Sequence, residues 1–188
     1  MGVFLKKYVY FLNAIHYCIW LNDMKFGDFM GKVVDTIFSP VQKYLFTEKF
    51  RKKYNERKAK QQSEIDNFFY NKRNGYHIGW AYHWYGYFYS GYPAFFSFIL
   101  VDMADKHFDN LNTIMFALLF ALPIVVCYIP AYKAVFTKDR YLKYFKQFEK
   151  KDEHWHKKWR WITVAFCMGS VTFAFLGLCV AHILSLIL

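Results

Sequence analysis

The chain has 188 residues, a formal charge of +11, 56% hydrophobic residues and 23% aromatic ones. A soluble domain of this size cannot hide that much Phe, Tyr and Trp, whereas a bilayer takes it up. The charges avoid the longest apolar runs and cluster beside them. The basic excess therefore points to anionic lipid headgroups and argues against nucleic acid as a partner.

The first 78 residues read as an amphipathic helical region that is interfacial or cytoplasmic. Lys6 and Lys7 precede an apolar stretch as in a signal peptide, but Asn13 and His16 interrupt it and no small-residue cleavage pattern follows. Tyr8 to Leu21 is too short to span a membrane. Met24 to Phe38 mixes Asp28, Lys32 and Asp35 with Phe and Val. Ser39-Pro40-Val41-Gln42 reads as a helix start, with Ser39 as N-cap and Pro40 in the first turn. Phe46, Phe50 and Tyr54 then form an apolar stripe beside a basic face, the pattern of a helix lying among lipid headgroups. Lys49, Arg51, Lys52, Lys53, Arg57 and Lys58 are the expected headgroup contacts. Asn74-Gly75 signals a turn.

Residues 79–188 read as an all-α membrane domain with three transmembrane helices, since about 20 helical residues cross a hydrocarbon core. The spans are Gly79–Val101, Thr113–Phe136 and Trp161–Ile187, with a basic inner loop over 137–160. The first opens on an aromatic-histidine segment, Tyr76 to Tyr87. Its Trp80 and Trp84, with Trp155, Trp159 and Trp161 farther on, suit an interfacial belt. His77 and His83 are too far apart on a helix to share a metal ion, and no cofactor can be named. Pro123 and Pro130 should bend the second span. Asp102 and Lys133 sit near span ends, where long or polar side chains reach the interface. The third span lacks Asp, Glu, Lys and Arg throughout.

Thr137 is the expected cap of a helix in the inner loop, with Tyr141, Tyr144, Phe145 and Phe148 on one face. Lys150, Lys151, Lys157, Lys158 and Arg160 complete the headgroup set. The connection between the first two spans is short and carries only Asp105, Lys106 and Asp109. The positive-inside rule then places the N-terminus in the cytoplasm and the C-terminus at the outer face of a bacterial inner membrane or its equivalent. A faint echo between Pro40 to Glu48 and Pro130 to Lys138 needs no more than a biased composition to explain it.

Small residues recur every fourth position at Gly86, Ser90 and Ala94, and at Ala165, Gly169, Gly177 and Ala181 with Phe173 interrupting, a spacing that lets helix backbones approach closely. Cys18, Cys127, Cys167 and Cys179 form no CxxC pair, and no hydrolase elbow, phosphate loop or His-Glu-x-x-His occurs. The expected role is non-catalytic: packing with a membrane-protein partner or in a homo-oligomer, as an accessory subunit, assembly factor or immunity-type protein. An oligomeric pore and a redox or metal subunit using the aromatic-histidine segment are the alternatives.

Overall fold

The computed structural model describes the chain except for Met1, Phe46, Asp109, Asn110 and Leu188. Within helices, the side chains at 41–43, 45, 51, 58, 59, 62 and 185–187 also lie outside the description. Among the described residues the fold is all-helical, 91% helix with no strand. The helices are α1 (Val3–Leu45), α2 (Glu48–Tyr70), α3 (Tyr76–His107), α4 (Thr113–Val135), α5 (Arg140–Phe148) and α6 (Glu153–Ile187), with one 3-10 turn at Thr137–Asp139.

Two helices, not the expected three, are long and apolar enough to cross a membrane: α4 with its continuation to Phe148, and α6. The difference lies in α3, whose first half is Tyr, Trp, His, Gly and Ser. These residues are bulky and amphipathic but score as weakly apolar.

Three local expectations also change. The helix start at Ser39-Pro40 does not occur, because α1 runs on through Pro40 to Leu45. No glycine or asparagine stops it there, and proline alone removes only one backbone donor. The side chain of Gln42 lies outside the described set. The next helix instead has Thr47 at its N-cap, in extended backbone. Thr137 does not cap α5; that position belongs to Asp139, in the left-handed region at φ 51° beside Lys138 at φ 57°. Finally, Tyr8 to Leu21, expected at a surface, contains the longest buried stretch: Leu12 to Cys18 are all at most 2% exposed.

The chain divides into two units, Met1–Cys18 with His83–Leu188, and Ile19–Tyr82. In the first, α3 and α6 lie side by side and parallel. Gly91 abuts Ser170, a Cβ on Gly177 would stand 2.7 Å from the Cα of Phe95, and Lys106 donates to the carbonyl of Leu184. The Tyr92 hydroxyl donates to the carbonyl of Phe166 at 2.8 Å. Helix α4 is antiparallel to α3: Tyr89 meets Tyr128 with ring centres 6.0 Å apart, and Phe98 meets Phe120 at 5.3 Å. Asn112 caps α4, its side chain accepting from the amide of Ile114 at 3.2 Å. Both prolines lie inside α4.

In the second unit, α2 follows α1, and a turn at Asn71 leads into α3. The Asn71 side-chain oxygen accepts from the amides of Arg73 and Asn74 at 2.8 and 3.2 Å. Such an Asx turn stabilises the reversal locally.

Glycine at 91 and 177 is required by these backbone approaches. Gly177→Leu and Gly91→Leu should each destabilise the detergent-solubilised protein by about 1–3 kcal/mol through overpacking. Gly86→Ala meets only the Tyr128 hydroxyl at 3.4 Å and should be near neutral. Thermal unfolding followed by circular dichroism ranks the three; equal effects would remove the α3–α6 approach.

Candidate functional site

The best-packed part of the first unit is the place where α1, α3, α4 and α5 meet. Helix α4 ends at Val135, so its last carbonyls have no partner within the helix. The amide of Phe136 takes that of Tyr132 at 2.8 Å. The carbonyl of Ala134 accepts from the Asn13 side-chain nitrogen on α1 at 3.2 Å, and Asn13 also donates to the carbonyl of Val9 at 2.7 Å.

One turn along α1, His16 is fully buried. Its ring centre lies 5.6 Å from Tyr85, 5.2 Å from Phe136, 5.6 Å from Tyr141 and 5.4 Å from Phe145. Burial in this aromatic cage pushes the His16 pKa down to about 3. It also pushes the Tyr17 hydroxyl up to about 12 and the neighbouring Cys18 thiol up to about 11. All three therefore stay neutral near pH 7. Tyr141, Phe145 and Phe148 are the buried face of α5, joined by Trp155, which stacks on Phe148 at 4.9 Å and donates to the Tyr10 hydroxyl at 3.0 Å.

The second unit holds a different cluster. His77 Nδ1 lies 2.6 Å from a carboxylate oxygen of Asp23, with the histidine side chain 6% exposed. A Cβ on Gly27 would come within 2.6 Å of the imidazole, so glycine there gives the ring its seat. Tyr70 donates to Asp28, and that bond raises the tyrosine's pKa. Lys72 stands over the Trp20 ring at 5.8 Å. A cavity of about 540 Å³ is lined by Asp28, Asp35, Asp66, Phe69, Tyr70 and His77. Among the described residues no three His, Cys, Asp or Glu side chains converge to hold a metal ion.

The residues singled out in the sequence fall as follows. Lys49, Lys52, Lys53 and Arg57 are exposed on α2, as are Phe50 and Tyr54. Arg51, Lys58 and Phe46 lie outside the described side chains, as does Asp109. Lys150, Lys151, Lys157 and Lys158 are exposed, and Arg160 is half-buried. Trp80, Trp84 and Trp161 are 40%, 41% and 69% exposed, whereas Trp155 and Trp159 pack into the aromatic cluster.

Of the small residues, Gly86 faces Tyr128, Gly169 faces the Tyr92 hydroxyl, Gly177 faces Phe95 and Ala94 is buried. Ser90 is half-buried and Ala165 exposed. Ala181 lines a cavity of about 540 Å³ with Asp102, Asp105 and Phe116.

Sequence reasoning missed Asn13, His16, Asp23, Gly91 and Ser170 as structural partners. Asn13 and His16 interrupting an otherwise apolar run was a signal, because polar residues at such positions are retained where they find partners. No known protein family, curated protein or solved structure matches the chain.

His16 gives a pH dependence whose sign is fixed. In the unfolded chain an imidazole protonates near pH 6.5, but in the fold only near 3. Between those values the unfolded state binds more protons, so stability is complete above about 6.5 and falls on acidification, at most about 1.4 kcal/mol per pH unit. His16→Phe should flatten the slope of unfolding free energy between pH 6.5 and 4 relative to the parent. Identical slopes would show that the imidazole protonates in place.

Proposed function

We propose that the chain is an integral membrane protein of three spans that packs with a further membrane component, as an accessory subunit, assembly factor or immunity-type protein. The observation that carries this reading is the outward display of its most apolar residues. In the most apolar stretch of α4 only 6% of residues are buried, and in that of α6 only 17%. Core helices of a soluble protein have the opposite distribution. Extended exposed apolar surface of this kind marks a membrane or partner contact.

The reading of three spans, rather than the two apolar helices alone, is supported by the company α3 keeps. From Gly91 to Lys106 it runs parallel to α6 from Ser170 to Leu184, so whatever depth α6 reaches, α3 reaches too. Its amphipathic rings find partners within the bundle: the Tyr89 hydroxyl bonds to the Tyr8 hydroxyl and donates to the carbonyl of Cys127. Buried polar groups in hydrocarbon need such partners.

Charge supports the same count. If only α4 and α6 crossed, the basic residues before α3 and those between α4 and α6 would fall on opposite sides. With α3 crossing, both sets share the cytoplasmic side, the C-terminus lies at the outer face, and the exposed lysines of α2 and of the inner loop meet anionic headgroups.

Gly86, Gly91, Gly169, Ser170 and Gly177 of α3 and α6 are engaged within the chain. A surface that suits a partner is the aliphatic stripe of α4: Ile114, Leu118, Leu122, Val125 and Ile129, 47–68% exposed and spaced at three and four residues.

Two measurements test the reading. Cys127 is exposed on α4, so in vesicles it should resist a water-soluble maleimide and react once detergent is added. Prompt labelling in intact and opened vesicles alike would end the membrane assignment. In mild detergents the protein should run as a homo-oligomer or with a stoichiometric partner, and Leu118→Trp with Leu122→Trp should dissociate it. A clean monomer across several detergents would overturn the packing role.

A further inference from the structure

We infer that the cavity where α1, α4 and α5 meet is a binding site for a single anionic phospholipid, with its phosphate held by Lys133 and Arg140. The inference rests on the membrane reading above and deepens it. The cavity measures about 380 Å³; its polar lining is Tyr8, Lys133, Thr137 and Arg140, and its apolar lining includes Leu5, Val9 and Pro130. Neither Lys133 nor Arg140 makes an ion pair with any described residue. Lys133 is exposed and Arg140 half-buried, and two cations beside an apolar wall suit an anion that carries an apolar body. Inorganic phosphate answers the charges and leaves the wall wet, whereas a phospholipid answers both. Arginine offers a fork that takes two phosphate oxygens, and lysine adds a point charge.

The backbone supplies an independent argument. Had α4 continued as a helix, Arg140 would stand two turns beyond Lys133, about 10 Å farther along the axis. Instead Lys138 and Asp139 adopt left-handed conformations at φ 57° and 51°, the chain kinks there, and both cations line one cavity. That region is unfavourable for residues with a Cβ. Strain of this kind persists where the surrounding structure holds it, and it clusters at ligand sites. Lys133 also lies in the last turn of α4, at the depth where the proposed orientation replaces hydrocarbon with headgroups.

The test uses the full chain in mild detergent, titrated separately with phosphatidylglycerol, phosphatidylcholine and glycerol phosphate and read by native mass spectrometry. One phosphatidylglycerol per chain should be retained in preference to phosphatidylcholine, and glycerol phosphate should not displace it. Lys133→Gln with Arg140→Gln should weaken retention about thirty-fold, taking about 1 kcal/mol per cation. Lys25→Gln, at an exposed position outside the headgroup set, should leave it unchanged. Equal retention of both lipids, or unchanged retention in the Lys133/Arg140 variant, overturns the site. Displacement by glycerol phosphate assigns the cavity to a soluble anion and overturns it equally.

If the double variant loses helicity, Arg140→Lys is measured instead: it keeps the charge but loses the fork, and unchanged retention there overturns the site. The membrane reading fails separately, through Cys127 labelling. A chain whose Cys127 is protected in vesicles but which binds both lipids alike loses only this site.

Discussion

The free end of α4 sets the arrangement of the first unit. Because the helix stops at Val135, the carbonyl of Ala134 needs a donor from elsewhere, and Asn13 supplies it. A buried carbonyl left without one would cost about 1–3 kcal/mol. That single contact holds the first turns of α1 against α4, and His16 then falls among Tyr85, Phe136, Tyr141 and Phe145. The left-handed pair at Lys138 and Asp139 turns the chain so that α5 closes the cage from the opposite side of the break. Neutral side chains suit the interior they create: a charged imidazole there would lose its hydration.

Away from this cluster the usual order of a globular protein is reversed. The aliphatic residues of α4 and α6 face outward, while Ser97, Thr163 and Ser170 are buried among the helices. In the membrane setting proposed above, close approach and satisfied polar groups would hold the helices together in place of hydrophobic burial. Thr163 returns its hydroxyl to the carbonyl of Trp159 at 2.9 Å, and Ser97 to that of Pro93 at 3.4 Å. Gly91 and Gly177 allow the contact; Tyr92 and Lys106 add hydrogen bonds across it. The same residues that make α3 poorly apolar make it a good neighbour for α6.

The basic residues are of two kinds. Those described on α2 and at 150–158 are exposed on helix surfaces and loops, where each interacts weakly and diffusely with its surroundings. Exposed Lys133 and half-buried Arg140 instead line one concavity together. Formal charge makes no distinction between them.

Composition and pattern alone determined that the chain is helical, that α4 and α6 are long apolar helices, and that a turn precedes Tyr76. These are local properties: a charge-free run from Trp161 onward and an Asn-Gly turn at 74–75. The aromatic face of α5 was legible from its spacing for the same reason. The sequence could not show that Tyr8 to Leu21 is buried, since a short apolar run with Asn13 and His16 becomes a core only when a partner carbonyl and four rings arrive from positions 85–145. Nor could it separate Pro40 inside a helix from Pro40 starting one, or pair Asp23 with His77 across 54 residues. Those outcomes depend on which distant groups meet, and only the tertiary structure decides that.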